Sequence, residues 1–370
     1  MSILQVVFLI LAVLALMLAL VFGVFRVRRS LTVAPAAMVV TDSEPRAAAA
    51  PAAPATGEEP TEELNARFDA IQRLQSLALS LDLSAPIPVD AADEEIASKV
   101  RWLLSTITDK PNYVPRRPLL LPKLVQAMNN DDVSRRELSR IIASDPALTV
   151  SLLGLANSPF YRITATPIES LDRAVAVLGI EGMRSLVAAA LMQPVFRVAG
   201  SGYLKFGDIT WRHTLASATA AEAHAVMLES SDPFVAQLLS LLMGIATVVV
   251  FRVTVDEYQS QGAAPNARIL MTLIDSQAAS VARQVASSWQ LSQRVDAALA
   301  DQSAPQGAKI SSLGRSVLFG RFLGALAVLH ENQVIDDAAV NAALNSGGAL
   351  APAYQRIWAR RLTLQQEAKV

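Results

Sequence analysis

The stretch DPALTVSLLGLANSPFYRITATPIESLDRAVAVLGIEGMRSLV, residues 145–187, determines the fold class because local chemistry marks its helix boundaries. Asp145 is a typical N-cap, and Pro146 follows it at the first helical position, where the missing N–H costs nothing. Apolar residues then recur at helical spacing until an Asn-Ser-Pro turn ends the segment. Ser170 caps a second helix, and Gly179 suits the left-handed end of that helix. This succession of short capped helices indicates an all-α fold.

The sequence downstream extends the helical pattern. Two long helices are predicted there: residues 209–228 capped by Asp208, and residues 233–246 or beyond capped by Ser231 or Asp232. The apolar run at residues 248–251 continues a helix as easily as it starts a strand. Because no period-two alternation is long enough for a strand, the whole body is predicted to be helical.

The N-terminal segment, residues 3–25, is uncharged and apolar over about 23 residues, enough to cross a hydrocarbon core of roughly 30 Å as one helix. A cleaved secretory signal is the alternative, but such signals carry a basic region first, and no Lys or Arg precedes this segment. Arg26, Arg28 and Arg29 follow it directly. The positive-inside rule then predicts a single-pass membrane protein whose bulk is cytoplasmic, with residues 1–29 as its anchor.

Two further segments precede the stretch quoted first. Residues 30–60 are rich in Ala and Pro, which is typical of an extended tether. Residues 61–114 form an accessory segment with two amphipathic helical stripes, the first of which contains Leu64, Phe68, Ile71, Leu74, Ala78 and Leu81. Such a stripe requires a partner helix, which is either the protein's own body or a second copy of the chain in a homodimer.

The composition excludes several classes of function. The 32 Lys and Arg residues against 33 Asp and Glu give a net charge of −1, so no nucleic-acid partner is expected. Because the chain has no cysteine, a thiolate zinc site, an iron–sulfur cluster and a cysteine nucleophile are excluded. The presence of only three histidines also argues against a His-rich metal centre. The apolar fraction of 52% and the mean hydropathy of +0.35 fit a membrane segment and an Ala-, Leu- and Val-rich helical body.

Several sequence elements resemble, in order and spacing, those of a bacterial domain family. They are Leu121-Pro122 before a helix, the SDPALT capping segment, LANSPFY, the Pro-Ile turn with Ser170, the AVAVLG helix end and Trp211-Arg212-His213-Thr214. Residues 115–302 are thereby similar to the HDOD domain, the HD-related output domain of bacterial signalling proteins. The resemblance implies a helical signalling domain of a bacterium, and with the predicted anchor it indicates a cytoplasmic domain on the inner membrane. A C-terminal helical segment at residues 303–370 lies outside the resemblance.

The resemblance also identifies the positions of a former metal site. HD phosphohydrolases, to which the family is related, hold divalent metals that activate water. His213 stands where their first histidine is expected, Met243 and Gly244 replace the adjacent His-Asp pair, and Asp275 keeps the later aspartate. Two isolated groups supply too few ligands for a divalent ion. The resemblance therefore implies a vestigial site with no catalytic residue, no metal and no cofactor.

The loop after the first quoted helix is the candidate surface for a partner. It places four polar and aromatic side chains beside a helix end, those of Asn157, Ser158, Phe160 and Tyr161. The alternative is that its aromatic side chains pack into the core. Two groups of arginines are interpreted as solvated helix faces in preference to an anion-binding surface: Arg135, Arg136 and Arg140, and Arg184 with Arg197.

The predicted function is that of a non-catalytic signalling or regulatory module, tethered to the inner membrane and acting through protein–protein interaction. Its expected partners are signalling or other membrane-associated proteins. Two alternatives stay open: a residual HD-type phosphohydrolase or nucleotide-sensing domain, and a structural scaffold on the membrane.

Overall fold

The computed structural model describes residues 61–81, 87–110, 112–115, 142–143, 145–162, 164, 166–198 and 203–367. All of them fall in one compact unit, which spans residues 53–370. The predicted anchor, the whole predicted tether and the arginine group at residues 135–140 lie outside the described residues. The predicted domain boundaries stay predictions.

Eleven helices make up the described part of the chain, and no strand occurs in it. They are α1 (Thr61–Leu79), α2 (Ala91–Ser105), α3 (Pro146–Ala156), α4 (Leu171–Met192), α5 (Leu204–His224), α6 (Pro233–Ser260), α7 (Ala267–Ser288), α8 (Gln293–Ala300), α9 (Ser312–Glu331), α10 (Asp337–Asn345) and α11 (Ala351–Glu367). A π-helical turn, Ala225–Glu229, follows α5. The predicted all-α fold is confirmed.

Three of the predicted caps are confirmed by hydrogen bonds. The Asp145 side chain accepts from two amides in the first turn of α3, each at 3.0 Å. Ser170 accepts from an amide of α4 at 3.2 Å, and Asp232 from an amide of α6 at 3.1 Å. Gly179 adopts a φ of +70° and interrupts α4, which then continues to Met192. Local capping chemistry therefore fixes where these helices begin.

The predicted cap at Asp208 is wrong. Helix α5 begins at Leu204, so Asp208 lies within the helix. There it points along the helix surface toward Arg212, 3.9 Å away. An aspartate one turn inside a helix has the same sequence context as an N-cap, and tertiary packing decides between the two. Helix α6 runs through residues 248–251 to Ser260, so that apolar run is helical.

Helices α5, α6 and α9 form the centre of the core, and α5 and α9 approach each other very closely. A Cβ at Gly320 would lie 2.5 Å from the backbone oxygen of Ser217, and one at Gly324 would lie 2.8 Å from the Ser217 nitrogen. Glycine at these two positions of α9 therefore lets the two backbones come into contact. Helix α6 packs against both and is buried along most of its length.

The accessory helices belong to the same core. Helix α1 packs on α5 and α9 and buries Ala70, Leu74 and Ala78, while α2 packs on α6 and α7. The apolar stripe of α1 is thus covered by the protein's own body, which was one of the two predicted alternatives. Phe68 is the exception, because 60% of it is exposed.

Three described helical segments are long and apolar enough to cross a membrane, judged by length and composition alone. They are Leu171–Phe196, Pro233–Ser260 and Ser312–Glu331, whose most apolar windows are 50%, 89% and 78% buried within the protein. This hydropathy is compatible with membrane association and does not single out one span. For α6 and α9, burial in the core accounts for the apolar composition.

Candidate functional site

The four positions that the family resemblance assigns to a vestigial metal site lie on three helices of the core. His213 is on α5, Met243 and Gly244 are on α6, and Asp275 is on α7. Helix α6 packs against both α5 and α7. The fold therefore brings these elements side by side, and the side chains present decide what the site can do.

The space beside Gly244, where the resemblance expects a replaced aspartate, is filled by a neighbouring helix. A Cβ on Gly244 would lie 2.2 Å from Thr214 Oγ1 and 2.6 Å from its Cγ2, far inside van der Waals contact. The Thr214 hydroxyl donates to the Thr210 carbonyl at 2.7 Å, which fixes its rotamer. Met243 beside it is 4% exposed. The packing of α5 on α6 thus leaves no room for a ligating side chain at residue 244.

His213 is engaged by the protein itself. Its Nε2 lies 3.0 Å from the backbone oxygen of Arg321 on α9, which implies an Nε2–H that donates to this carbonyl. Burial lowers the pKa of His213 to about 4, so the imidazole is neutral at pH 7. The Nε2 nitrogen is therefore protonated and engaged in a hydrogen bond.

Asp275 is tied to the accessory segment. Its Oδ1 accepts a hydrogen bond of 2.6 Å from Nε2 of Gln75 on α1. Asp275 is exposed as a residue, but protein atoms around its carboxyl group partly desolvate it and raise its pKa, while the hydrogen bond from Gln75 and the charge of Arg321 act in the opposite direction. No group of three or more His, Asp or Glu residues that could hold a metal lies together in the described ranges.

The LANSPFY loop is held by its own polar residues. The Asn157 side chain bridges to Ile168 in both directions, accepting from its amide at 2.7 Å and donating to its carbonyl at 2.8 Å. The Ser158 hydroxyl donates to the Leu155 carbonyl at 2.7 Å. Tyr161 is buried, and its hydroxyl accepts from Gln237 at 3.0 Å. Asn157 and Tyr161 therefore have internal structural roles.

The remaining residues of the loop border a cavity. Its volume is about 710 Å³, and it lies between the C-terminal half of α3, the middle of α5 and the end of α9. The lining residues are Ser151, Gly154, Leu155, Ser158, Pro159, Phe160, Gln193, Trp211, Arg212, Leu215 and Glu331. Of the four candidate contact residues, Ser158 and Phe160 thus face an open space.

Sequence reasoning missed the charged part of this cavity. Arg212 Nη2 donates to Glu331 Oε2 at 2.6 Å, across 119 positions of sequence. No local pattern connects the two residues. Arg212 belonged to the stretch that carried the family resemblance, but Glu331 lies outside that stretch, so the pair has no signal in the sequence.

The second arginine group does not form an anion site. Arg184 pairs with Glu181 at 3.3 Å, and its guanidinium lies 5.0 Å from the centre of the Phe234 ring. Arg197 is exposed. The Arg184 side chain is only 12% exposed, so it is used within the protein and the predicted solvated face is wrong for this residue.

His224 is a core histidine and does not converge with His213. It is 2% exposed, its Nδ1 lies 3.1 Å from Ser316 Oγ, and its ring lies 4.6 Å from the ring of Phe319. Burial, with smaller contributions from the charges of Arg67 and Arg315, lowers the pKa of His224 to about 3. The ring is neutral over the whole physiological range.

This shift predicts a specific pH dependence of stability. Below pH 6.5 the unfolded chain protonates His224 while the folded protein does not, so the free energy of unfolding falls with pH until about pH 3. Glu222, whose pKa burial raises to about 7, gives the opposite slope between pH 4.5 and 7. We therefore expect wild type to lose about 1 kcal/mol more than His224→Gln between pH 6 and pH 5, measured by urea denaturation. Equal losses would contradict a buried neutral imidazole.

Comparison with known proteins places this site in a family. The family model of the HDOD domain matches residues 114–305. One similar solved structure is a putative metal-dependent phosphohydrolase from Shewanella amazonensis SB2B, with 18% identity, a TM-score of 0.48, and coverage of 70% of this chain and 99% of that one. Another is an HDOD domain protein of unknown function from Geobacter sulfurreducens, with 17% identity, a TM-score of 0.48, and coverage of 74% and 98%. No curated protein matches the chain. Since the family model covers more than half of the sequence, the chain belongs to the HDOD domain family.

Proposed function

We propose that this protein is a non-catalytic signalling module, anchored in the bacterial inner membrane, that acts by binding other proteins. The observation that carries the proposal is the contact between Gly244 and Thr214. Because a Cβ at residue 244 would lie 2.2 Å from Thr214 Oγ1, the position of a ligating aspartate is occupied by a neighbouring helix. The helical body keeps its packing although this position is closed to a ligating side chain. Its surfaces are therefore the part that we propose to carry the function.

The two polar groups left at the former site support the same proposal. His213 contacts the Arg321 backbone at 3.0 Å, and Asp275 accepts from Gln75 at 2.6 Å. Both contacts come from helices outside the HDOD match, α9 and α1. These contacts stabilise the packing of α9 and α1 on the domain. In the proposal, His213 and Asp275 thus serve the structure and not the binding of a metal.

Membrane tethering would place the domain near its partners. Residues 3–25 supply the proposed anchor, and residues 30–60 supply a tether that reaches some 30 Å or more if it behaves as a flexible chain. Confinement to a layer of that depth raises the effective concentration toward other membrane-bound proteins without any new contact. Signalling proteins at the same membrane are therefore the proposed partners.

The end of α3 and the LANSPFY loop form the proposed contact surface. Val150 on α3 is 72% exposed, and Pro159 in the loop is exposed as well. Phe160 and Ser158 border the cavity next to them. An exposed apolar side chain beside a concave surface is a common feature of protein interaction sites.

The test compares purified full-length protein with a variant that lacks residues 1–29. We expect no stoichiometric iron, manganese or zinc after dialysis and no hydrolysis of phosphomonoesters or cyclic dinucleotides.

Mild crosslinking in native membranes identifies the partner. The shortened variant should bind that partner within a few-fold of the intact affinity and lose the cellular effect, while Val150→Asp should lose binding.

Val226→Asp is the matched control, because Val226 is 60% exposed but lies in the π-helical turn after α5. It should keep partner binding. One equivalent of metal surviving dialysis together with turnover would instead favour the residual phosphohydrolase. A fully active shortened variant in cells would refute the role of the tether.

A further inference from the structure

The cavity between α3, α5 and α9 has the size and walls of a small-molecule site. Its volume of about 710 Å³ lies within the range of roughly 300–1,000 Å³ that is typical of ligand pockets. Phe160 and Trp211 contribute aromatic walls. Trp211 is held in place by Phe196, whose ring centre is 4.8 Å away. Because aromatic rings pack well on such walls, the apolar part of a ligand is expected to be aromatic.

Three polar side chains at the cavity have unused hydrogen-bonding capacity. The Ser151 hydroxyl, the Gln193 amide and the Trp211 indole N–H line the cavity and make no hydrogen bond within the described part of the chain. A few polar groups that converge on an apolar cavity orient a ligand and give specificity. A ligand with a hydrogen-bonding edge therefore fits better than a pure hydrocarbon.

The cavity lining carries one guanidinium and one carboxylate, and the guanidinium of Arg212 keeps donors for an anion. One carboxylate, that of Glu331, accepts from Arg212 and also from Arg361. The Nε and Nη1 groups of Arg212 make no hydrogen bond within the described residues. Asp208 lies 3.9 Å from Nη1, but its side chain is 64% exposed, so water screens its charge. An incoming carboxylate can therefore bind Arg212 while Glu331 keeps its contact with Arg361.

We infer that this cavity binds a small aromatic anion, with the ring between Phe160 and Trp211 and the negative group on Arg212. Such binding requires neither the membrane anchor nor a protein partner. The test below and the test of the proposed function can therefore fail separately.

The experiment is equilibrium dialysis of the full chain in lipid nanodiscs, with empty nanodiscs as the blank. The probes are 2-naphthoate and its neutral counterpart 2-naphthamide, which share the ring and differ in charge. We expect 2-naphthoate to bind with a Kd of about 0.1 mM, as is reasonable for a ligand of this size. The amide should bind several-fold more weakly.

Two variants separate the shape of the cavity from its charge. A Cβ on Gly154 meets nothing within 4 Å, so Gly154→Leu extends into the cavity without a clash and should weaken both probes at least 10-fold. Arg212→Gln should weaken 2-naphthoate about 10-fold and leave 2-naphthamide within 2-fold. Ala147→Leu, on an exposed position of the same helix outside the cavity lining, should change neither.

Each outcome decides the matter. Loss of both probes in Gly154→Leu with normal binding in Ala147→Leu supports the site. Binding no greater than to empty nanodiscs, or equal binding in Gly154→Leu and wild type, overturns it. Equal weakening of acid and amide by Arg212→Gln refutes the preference for an anion.

Discussion

Restoring the histidine–aspartate pair by Met243→His with Gly244→Asp is expected to unfold the helical body instead of recreating a metal site. The new Cβ at residue 244 would lie 2.2 Å from Thr214 Oγ1, so α5 and α6 would have to separate. The aspartate would also be buried in a region where Met243 is only 4% exposed. Overpacking costs about 1–3 kcal/mol, and a buried carboxylate costs more, so we expect a loss of at least about 4 kcal/mol. Chemical denaturation followed by circular dichroism measures it.

The single substitution Gly244→Ala isolates the clash. We expect it to destabilise the protein by about 2 kcal/mol, because the added methyl group meets the fixed Thr214 side chain. Gly154→Ala is the matched control, since nothing lies within 4 Å of its new Cβ. It should stabilise α3 by about 0.5–1 kcal/mol through helix propensity. A double variant that folds normally and retains one equivalent of metal would show that the vestigial-site interpretation is wrong.

The parts of the fold that depend on local chemistry were predictable from the sequence. Asp145, Ser170 and Asp232 cap their helices because each side chain bonds amides two or three residues away. Asp208 has a similar context and was predicted to do the same, but α5 begins earlier, at Leu204. The packing of α5 against α6 and α9 decides this boundary, and no local pattern reports such packing.

The candidate site, like the fold, was predictable only in part. The replacement of the His-Asp pair by Met243 and Gly244 stays a prediction from the family resemblance. The side chains that surround these positions could not be predicted, because they come from distant parts of the sequence. They are Thr214 against Gly244, Arg321 against His213 and Gln75 against Asp275. Burial of Tyr161 agrees with the alternative that the aromatic side chains of the loop pack into the core. The hydrogen-bond partners of Asn157 and Tyr161 could not be predicted, since they lie 11 and 76 residues away.

The second large effect is expected at Glu63, which joins the two ends of the described chain. Glu63 on α1 is 2% exposed, contacts the Arg67 guanidinium at 2.5 Å, and accepts from the Tyr354 hydroxyl of α11 at 3.0 Å. Glu63→Ala removes the carboxylate from a buried pair, which typically costs about 3–5 kcal/mol. We expect a loss of about 3 kcal/mol, measured as the free energy of unfolding in urea.

Two variants show whether the buried carboxylate causes this loss. Glu62→Ala changes the exposed neighbour on the same turn and should stay within about 0.5 kcal/mol of wild type. Glu63→Gln keeps the shape and can still accept from Tyr354, so it should lose less than Glu63→Ala. Since α1 packs on α5 and α9 and α11 contacts α1 through this residue, all the helices should unfold in one transition. If Glu63→Ala unfolded α1 and α11 separately while the remaining helices kept wild-type stability, these two helices would be appendages, and the contact of Gln75 with Asp275 would have no structural role in the core.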